Sequence, residues 1–308
     1  MKIFITGGAG TLGSNIVRRF EKDGIDYCIL DNFETGSKKN LVGIPQHKIL
    51  EGSILDQKIL KDVFEKFVPT HIIHSAASYK DPNNLNKDAS VNINGSILLS
   101  NFAEKYNVKQ IINFQTALCY GIPKKVPIPI SSECHPFTSY GMSKYFGEYY
   151  LLNSAVNVVS LRLANICSEN LAIGPIPTFY NRLKENKPCF ISDSLRDFID
   201  FEDFYNLLLK VLHKPMEASD VFNVSTGVST HIKEIFDIIK EYLGKGDAIA
   251  PIKPIGEDDV FNTTLDPSKT ISFFDWKPRV KLKEIIVKQL RYYDQKQIET
   301  IYSHLKNE

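Results

Sequence analysis

Tyr140 and Lys144 stand four residues apart in Tyr140-Gly141-Met142-Ser143-Lys144, a segment that opens a helix. That spacing puts both side chains on one helical face, about one turn apart. A tyrosine with an unperturbed pKa near ~10 is a poor base at neutral pH. A lysine ammonium one turn away stabilises the phenolate and lowers that value, so the pair could exchange a proton with a substrate hydroxyl. Thr116, at the end of a strand upstream, could hydrogen-bond the substrate oxygen as the proton moves. Tyr-x-x-x-Lys by itself occurs by chance on many helices, and gains its weight from a second feature at the start of the chain.

There, Lys2 to Ile5 reads as a short buried strand, followed with no spacer by Thr6-Gly7-Gly8-Ala9-Gly10-Thr11-Leu12-Gly13. An apolar-periodic helix (Leu12, Ile16, Val17, Phe20) begins at once. Strand, glycine turn and helix in that order hold a pyrophosphate. Gly7, Gly10 and Gly13 let the backbone turn and approach the phosphates, and the helix start at Thr11 and Leu12 offers N–H groups and a partial positive charge. A second strand, Tyr27 to Leu30, ends on Asp31, 18 residues beyond Gly13. A carboxylate there meets the adenosine ribose and repels a 2′-phosphate, which favours NAD(H) over NADP(H). Asn32 beside it suits either a ribose contact or a strand-end turn.

The elements that must position these residues follow in order. A third strand runs from about His47 to Leu50, and Asp56 caps a helix with Ile59, Leu60, Val63, Phe64 and Phe67 on its apolar face. A fourth strand, His71 to Ala77, runs into small residues against which a cofactor can lie. A helix from about 89 to 106, a fifth strand from 108 to 115, a proline-rich loop, the helix carrying Tyr140, and a sixth strand from 156 to 163 complete the rhythm. Six alternations predict an α/β fold, a Rossmann-type doubly wound parallel sheet with ligands at the C-terminal strand ends. Beyond Asn165, loops punctuated by Pro175, Pro177 and Pro188 and helices near 202–213, 231–243 and 281–295 predict a smaller mixed α/β lobe. The expected division is residues 1–165 and 166–308, with an approximate boundary and the chain crossing back.

Composition excludes other classes. Over 308 residues, 37 Lys and Arg balance 36 Asp and Glu, so nothing in the charge argues for nucleic acid or a membrane surface. No apolar run approaches the roughly 20 residues of a membrane helix. Five cysteines, at 28, 119, 134, 167 and 189, form no CxxC pair, and seven histidines show no ligand spacing. A cytoplasmic protein without a metal site is expected.

Together these segments resemble the extended short-chain dehydrogenase/reductases that act on nucleotide sugars, the NAD-dependent 4-epimerases and 4,6-dehydratases. Thr6 to Gly13 is similar to TGGxGxxG and His74-Ser75-Ala76-Ala77 to HxAA. Val91-Asn92-Ile93-Asn94-Gly95-Ser96 is similar to NVxGT, Thr116 to Gly121 to (S/T)xxVYG, Arg162 to Asn165 to RxxN and Arg196-Asp197-Phe198 to RDF. The tail, Asp266-Pro267-Ser268-Lys269 with Trp276 and Pro278, matches DxSKaxxxLGWxP. The resemblance implies an NAD-binding domain over 1–165, contacted also through Ser53, Ile54, His74, Ala76 and Asn92, and a nucleotide-sugar-binding lobe over 166–308. It implies that Tyr140 takes a proton from the sugar C4 hydroxyl, that Thr116 bridges substrate and Tyr140, and that Lys144 also holds the nicotinamide ribose. Asn165 and Arg196 would hold the substrate diphosphate, and Lys80 could reach the sugar. It further implies a homodimer, the helices at 89–106 and 138–153 pairing into a four-helix bundle.

Departures from the pattern narrow the reaction. The dehydratases carry an acid pair directly after the threonine; here Ala117 and Leu118 stand there, neither able to move a proton. Cys119 falls one residue beyond the position where some relatives use a cysteine, and reads as packing. With no extra acid or base, the simplest cycle is oxidation, rotation of the keto sugar and hydride return, a 4-epimerase of a surface polysaccharide pathway. A net 4-dehydrogenase or 4-keto reductase would use the same residues, and a non-catalytic NAD-binding regulator would not need them. Ser53 replaces the family's adenine-binding aspartate. The usual second-lobe arginine is missing from Pro254 to Asp259, which leaves the diphosphate to Arg196 or to a lysine such as Lys253.

Overall fold

The computed structural model describes residues 1–79, 84–256 and 259–296. In chain order the elements begin with β1 (Lys2–Thr6), α1 (Thr11–Asp23), β2 (Asp26–Asp31), β3 (Ile49–Glu51), α2 (Gln57–Lys66) and β4 (His71–His74). Next come α3 (Leu85–Asp88), α4 (Gly95–Lys105), β5 (Gln110–Thr116), α5 (Ser139–Leu152), β6 (Val158–Leu163) and β7 (Asn165–Cys167). Then follow α6 (Pro175–Lys184), β8 (Ile191–Ser192), β9 (Leu195–Arg196), β10 (Phe198–Asp200), α7 (Phe201–His213) and β11 (Asp220–Val224). The last are β12 (Thr230–His231), α8 (Ile232–Tyr242), β13 (Ile252–Lys253), α9 (Ser268–Phe274) and α10 (Leu282–Gln295).

Seven strands form one sheet in the order β11-β6-β5-β4-β1-β2-β3. β1 runs parallel to β2 and β4, β2 to β3, β4 to β5 and β5 to β6. Helices cover both faces, so the strands read as continuous apolar runs rather than alternating ones: Ile3, Phe4 and Ile5 are all fully buried. One face packs Phe4, Cys28, Leu30, Ile72 and Ile111 against Leu60 and Phe64 of α2, Leu99 of α4 and Leu151 of α5. This is the predicted doubly wound arrangement.

The chain divides into two compact units. The first comprises 1–121, 133–163 and 208–222; the second comprises 122–132, 164–207 and 223–308. Against the expected division near 165 with the chain crossing back, 122–132 belong to the second unit and 208–222 to the first, the latter supplying β11 to the sheet edge beside β6. The second unit has its own core, in which Ile176, Phe179 and Leu183 of α6 meet Ile235, Phe236 and Ile239 of α8 and Ile286 and Leu290 of α10.

Three elements differ from expectation. Pro175 and Pro177, read as loop punctuation, lie in the first turn of α6, where a missing N–H breaks no intrahelical bond and the fixed φ suits a helix. The helix expected at 89–106 is broken: Ala89–Asn94 form a π-helical turn between α3 and α4. The strand expected to reach Ala77 ends at His74.

Candidate active site

The glycine loop lies where three parallel strands release their ends. Gly7 sits at φ +72°, and a Cβ there would lie 2.6 Å from the Ala76 nitrogen; a Cβ at Gly13 would lie 2.3 Å from the Gly7 carbonyl oxygen. Neither position tolerates a side chain, so the loop closes onto itself and onto the segment after β4. The N-terminus of α1 at Thr11, Leu12 and Gly13 has no side-chain cap, leaving its positive end for an anion. On the neighbouring strand end, Asp31 Oδ2 accepts the Ala9 N–H at 2.8 Å and Oδ1 accepts the Phe33 N–H at 2.8 Å. Burial pushes this carboxyl up, and the two backbone donors act against the rise. Backbone cradle, uncapped helix start and adjacent carboxylate fit a dinucleotide.

Some of the predicted cofactor contacts are otherwise engaged. His74 is buried with Nδ1 on Thr6 Oγ1 at 2.8 Å and Nε2 on Ser96 Oγ at 3.1 Å. Both ring nitrogens are used inside the protein, and burial drives the imidazole pKa down to about 3. Its side chain therefore knits β1, β4 and α4 together and is not offered to a ligand. Asn92 is likewise a clip: its amide donates to the Ser78 carbonyl and to Ser143 Oγ, both at 2.9 Å, while Oδ1 accepts the Ser78 N–H at 2.8 Å. Ser53 Oγ accepts the Leu55 N–H at 3.2 Å in a tight turn, and Ile54 is buried. Ala76 donates its N–H to Thr6 Oγ1 at 3.3 Å, which holds the strand end beside the loop. Asn32 is exposed and bonds locally to Glu34.

The catalytic candidates share the first unit with this loop. Thr138 caps α5 by accepting the Gly141 N–H at 3.1 Å, and the buried Asp88 accepts Ser139 Oγ at 2.7 Å. A carboxylate at a helix start suits the helix dipole. Ser143 Oγ donates to the Tyr140 carbonyl at 3.0 Å, so Asn92 reaches the catalytic turn through it. Thr116 keeps its hydroxyl at the end of β5, accepting the Leu118 N–H at 3.2 Å. Ala117–Tyr120 then form a 3₁₀ turn, not a continued strand, and Cys119 is buried in it. Asp88, Asn92 and Gln115, whose amide meets both Thr116 and Lys144, hold this site in ways that no local spacing in the sequence announces.

Electrostatics at the pair depart from the expected direction. Burial pulls the Lys144 ammonium down to about 8, with Glu148 acting against the shift. Burial also pushes the Tyr140 phenol well up, and Tyr79 and Asp88 add to the rise. The Tyr79 ring lies edge-on to Tyr140 with centroids 6.2 Å apart. In the protein alone the phenol is thus not lowered: desolvation outweighs any help from a lysine that is itself desolvated.

The candidates for the substrate diphosphate, Asn165, Arg196 and Lys253, belong to the second unit. Asn165 donates Nδ2 to the Asp197 carbonyl at 3.0 Å. Arg196 is not presented free: Nη2 pairs with Asp259 Oδ1 at 2.6 Å, and Nη1 donates to the carbonyls of Leu195 and Val260, each at 2.8 Å. The ammonium of Lys253 lies 4.4 Å from the Phe190 ring centroid. Lys80 lies outside the described residues. Among the described residues no cluster of His, Cys, Asp or Glu could hold a metal ion, and no helix is long and apolar enough to cross a membrane.

The NAD dependent epimerase/dehydratase family matches residues 3–225. The Bordetella bronchiseptica enzyme WbmG, solved in complex with NAD, is similar over 99% of this chain and 98% of its own, with 48% identity and a TM-score of 0.93. WbmG has also been solved with NAD and UDP. UDP-glucose 4-epimerase of Thermotoga maritima, solved with UDP-glucose, is 28% identical over 96% of this chain and 99% of its own, with a TM-score of 0.87. UDP-glucose 4-epimerase of Lactobacillus helveticus is 28% identical over 91% of this chain and 92% of its own.

Proposed function

We propose, from the premise that this chain belongs to the NAD-dependent epimerase/dehydratase family, that it interconverts the C4 epimers of a UDP-sugar through a 4-keto intermediate. It is an NAD-dependent enzyme, and the observation that carries the reading is the conjunction in one unit of Thr116, Tyr140 and Lys144 with Ala117 and Leu118. The first three can move a proton at a carbinol; the last two cannot support the acid and base steps of a dehydration. NAD, when bound, supplies the hydride acceptor and afterwards the donor, and its cationic ring favours the phenolate form of Tyr140.

The glycine loop and the start of α1 hold the diphosphate of the cofactor, Asp31 the adenosine ribose, and Lys144 the nicotinamide ribose. Tyr140 takes the proton from the C4 hydroxyl, the Thr116 hydroxyl bonds the oxygen that becomes the ketone, and the Lys144 ammonium stabilises the phenolate. Rotation of the ketone and return of the proton from Tyr140 complete the cycle. UDP complexes of WbmG and of the Thermotoga epimerase support uridine as the base. Asn165 and Arg196 hold the substrate diphosphate, Arg196 exchanging Asp259 for phosphate. A cytoplasmic homodimer in surface polysaccharide synthesis, paired through α4 and α5, completes the proposal: Phe146, Tyr149 and Tyr150 stand about half exposed along α5.

The test is incubation with a panel of UDP-sugars in deuterated water. A new C4 epimer without accumulating NADH and without deuterium in the sugar is expected. Stoichiometric NADH with ketone would mean a 4-dehydrogenase, and a 6-deoxy-4-keto sugar with deuterium at C5 a 4,6-dehydratase. Tyr140→Phe should retain NAD and lose about 10²–10⁴-fold in turnover, the usual worth of a positioned acid–base group; full activity in that variant overturns the assignment.

A further inference from the structure

Gln115 precedes Thr116 on β5 and is 3% exposed. Both ends of its amide are used. Nε2 donates to the backbone carbonyl of Lys144 at 2.9 Å, and Oε1 accepts the backbone N–H of Thr116 at 2.7 Å. One planar group therefore joins the end of β5 to the catalytic turn of α5. From the other flank, Asn92 holds the same turn through Ser143 and the Tyr140 carbonyl. Both braces take only backbone atoms of the catalytic residues, leaving the Thr116 hydroxyl, Tyr140 phenol and Lys144 ammonium for the substrate.

We propose that Gln115 is a positioning residue for the reaction, its amide setting the spacing between the Thr116 hydroxyl and the Tyr140–Lys144 turn. The inference rests on reading Thr116, Tyr140 and Lys144 as the catalytic set. Only a side chain with one donor and one acceptor at this reach makes both bonds, and among side chains of similar length the other that can carry the pair is a protonated glutamic acid. Displacement of reacting groups by ~1 Å can cost ~10²-fold in rate, so a brace of this kind acts on turnover more than on cofactor affinity.

The test compares the NAD-loaded wild type with Gln115→Met, similar in length but without the two bonds, and Gln115→Glu. In Gln115→Met, kcat is expected to fall about 10–100-fold with KM within about threefold and NAD content retained. Gln115→Glu as a carboxylate has no donor for the Lys144 carbonyl, whereas the protonated acid has one O–H and one acceptor oxygen and mimics the amide. Its activity relative to wild type should therefore rise about tenfold or more from pH ~8.5 to pH ~6, while the Gln115→Met ratio stays flat. The charged groups on the elements around it are Lys144 and Glu148 of α5 and Arg162, its register partner on β6, with His74 on β4 beyond Asn113. A sugar-free readout separates this inference from the choice of substrate: the Tyr140 phenolate titration, taken as the ultraviolet difference between each protein and its Tyr140→Phe counterpart. Gln115→Met should move that midpoint by about half a unit or more, because the lysine no longer stands at its set distance. An unmoved midpoint, or equal loss of NAD, thermal stability and kcat without recovery of Gln115→Glu at low pH, makes Gln115 a purely structural glutamine and overturns the proposal.

Discussion

Lys144 is 6% exposed, and its ammonium is held near pKa 8 instead of the usual 10.5 by the cost of burying charge. The folded-state value lies below the unfolded one, so the group destabilises the protein wherever the folded lysine is charged, and the penalty disappears only as pH rises through the unfolded value. Lys144→Met is accordingly expected to raise the unfolding free energy of the NAD-free protein at pH 7 by about 1–3 kcal/mol while abolishing turnover. Urea titrations from pH ~7 to pH ~10.5 would check it; the advantage should shrink with rising pH, and a less stable variant at pH 7 tells against the account. Chemistry imposes fixed local spacing, which is why Tyr140, Lys144, Thr116 and the glycine loop could be singled out as candidates from sequence. Arg196 was not, in its detail: its partner Asp259 lies 63 residues away, and nothing local foretells the pair. The fate of His74 follows the same logic, since Thr6 and Ser96 meet it only after the sheet has formed.

Helix α5 carries the site and is tied down along its length. Below Lys144, Glu148 is 1% exposed and accepts Arg162 Nη2 at 2.7 Å and Ser160 Oγ at 2.5 Å, both from β6. The Arg162 guanidinium also lies 4.7 Å from the Tyr120 ring centroid. Removing one member of a buried pair strands the other charge: Arg162→Met alone should cost about 3–5 kcal/mol, and Glu148→Met combined with Arg162→Met distinctly less than the two single losses added. A double-mutant cycle in urea measures the coupling, and simple additivity would dismiss the pair as an energetic unit. Element type was readable wherever periodicity ran long, as in α7, α8 and α10. It failed at α6, because proline in a first turn and proline in a loop look alike in sequence, and at Ala89–Asn94, because a π turn depends on where Asn92 finds its partners.

At the scale of the whole chain, the doubly wound sheet was legible and a crossing back was expected, but not which residues make it. The sequence alternates strand and helix until Asn165 and then loses that rhythm, so nothing announces that Asp220–Val224 returns to the sheet. The return is anchored by side chains as well as by the strand: Ser219 Oγ accepts the Val158 N–H at 3.0 Å, and Asn157 Nδ2 donates to the Met216 carbonyl at 2.9 Å. A fragment cut after residue 165 would keep the glycine loop, Thr116, Tyr140 and Lys144, yet leave β6 as a bare edge bearing Val158, Val159 and Leu161. Such an edge templates pairing with other chains. The fragment is expected to aggregate on refolding, measured by light scattering, where a monomeric fragment that binds NAD would contradict the expectation.

Because β11 lies at residues 220–224, the order of synthesis on the ribosome matters. The glycine loop, Thr116, Tyr140 and Lys144 have all been made before the strand that seals the sheet of their own unit. The stretch from β7 to α7 emerges in between and belongs largely to the other unit, so the nascent enzyme waits with an open sheet while its second unit begins to form.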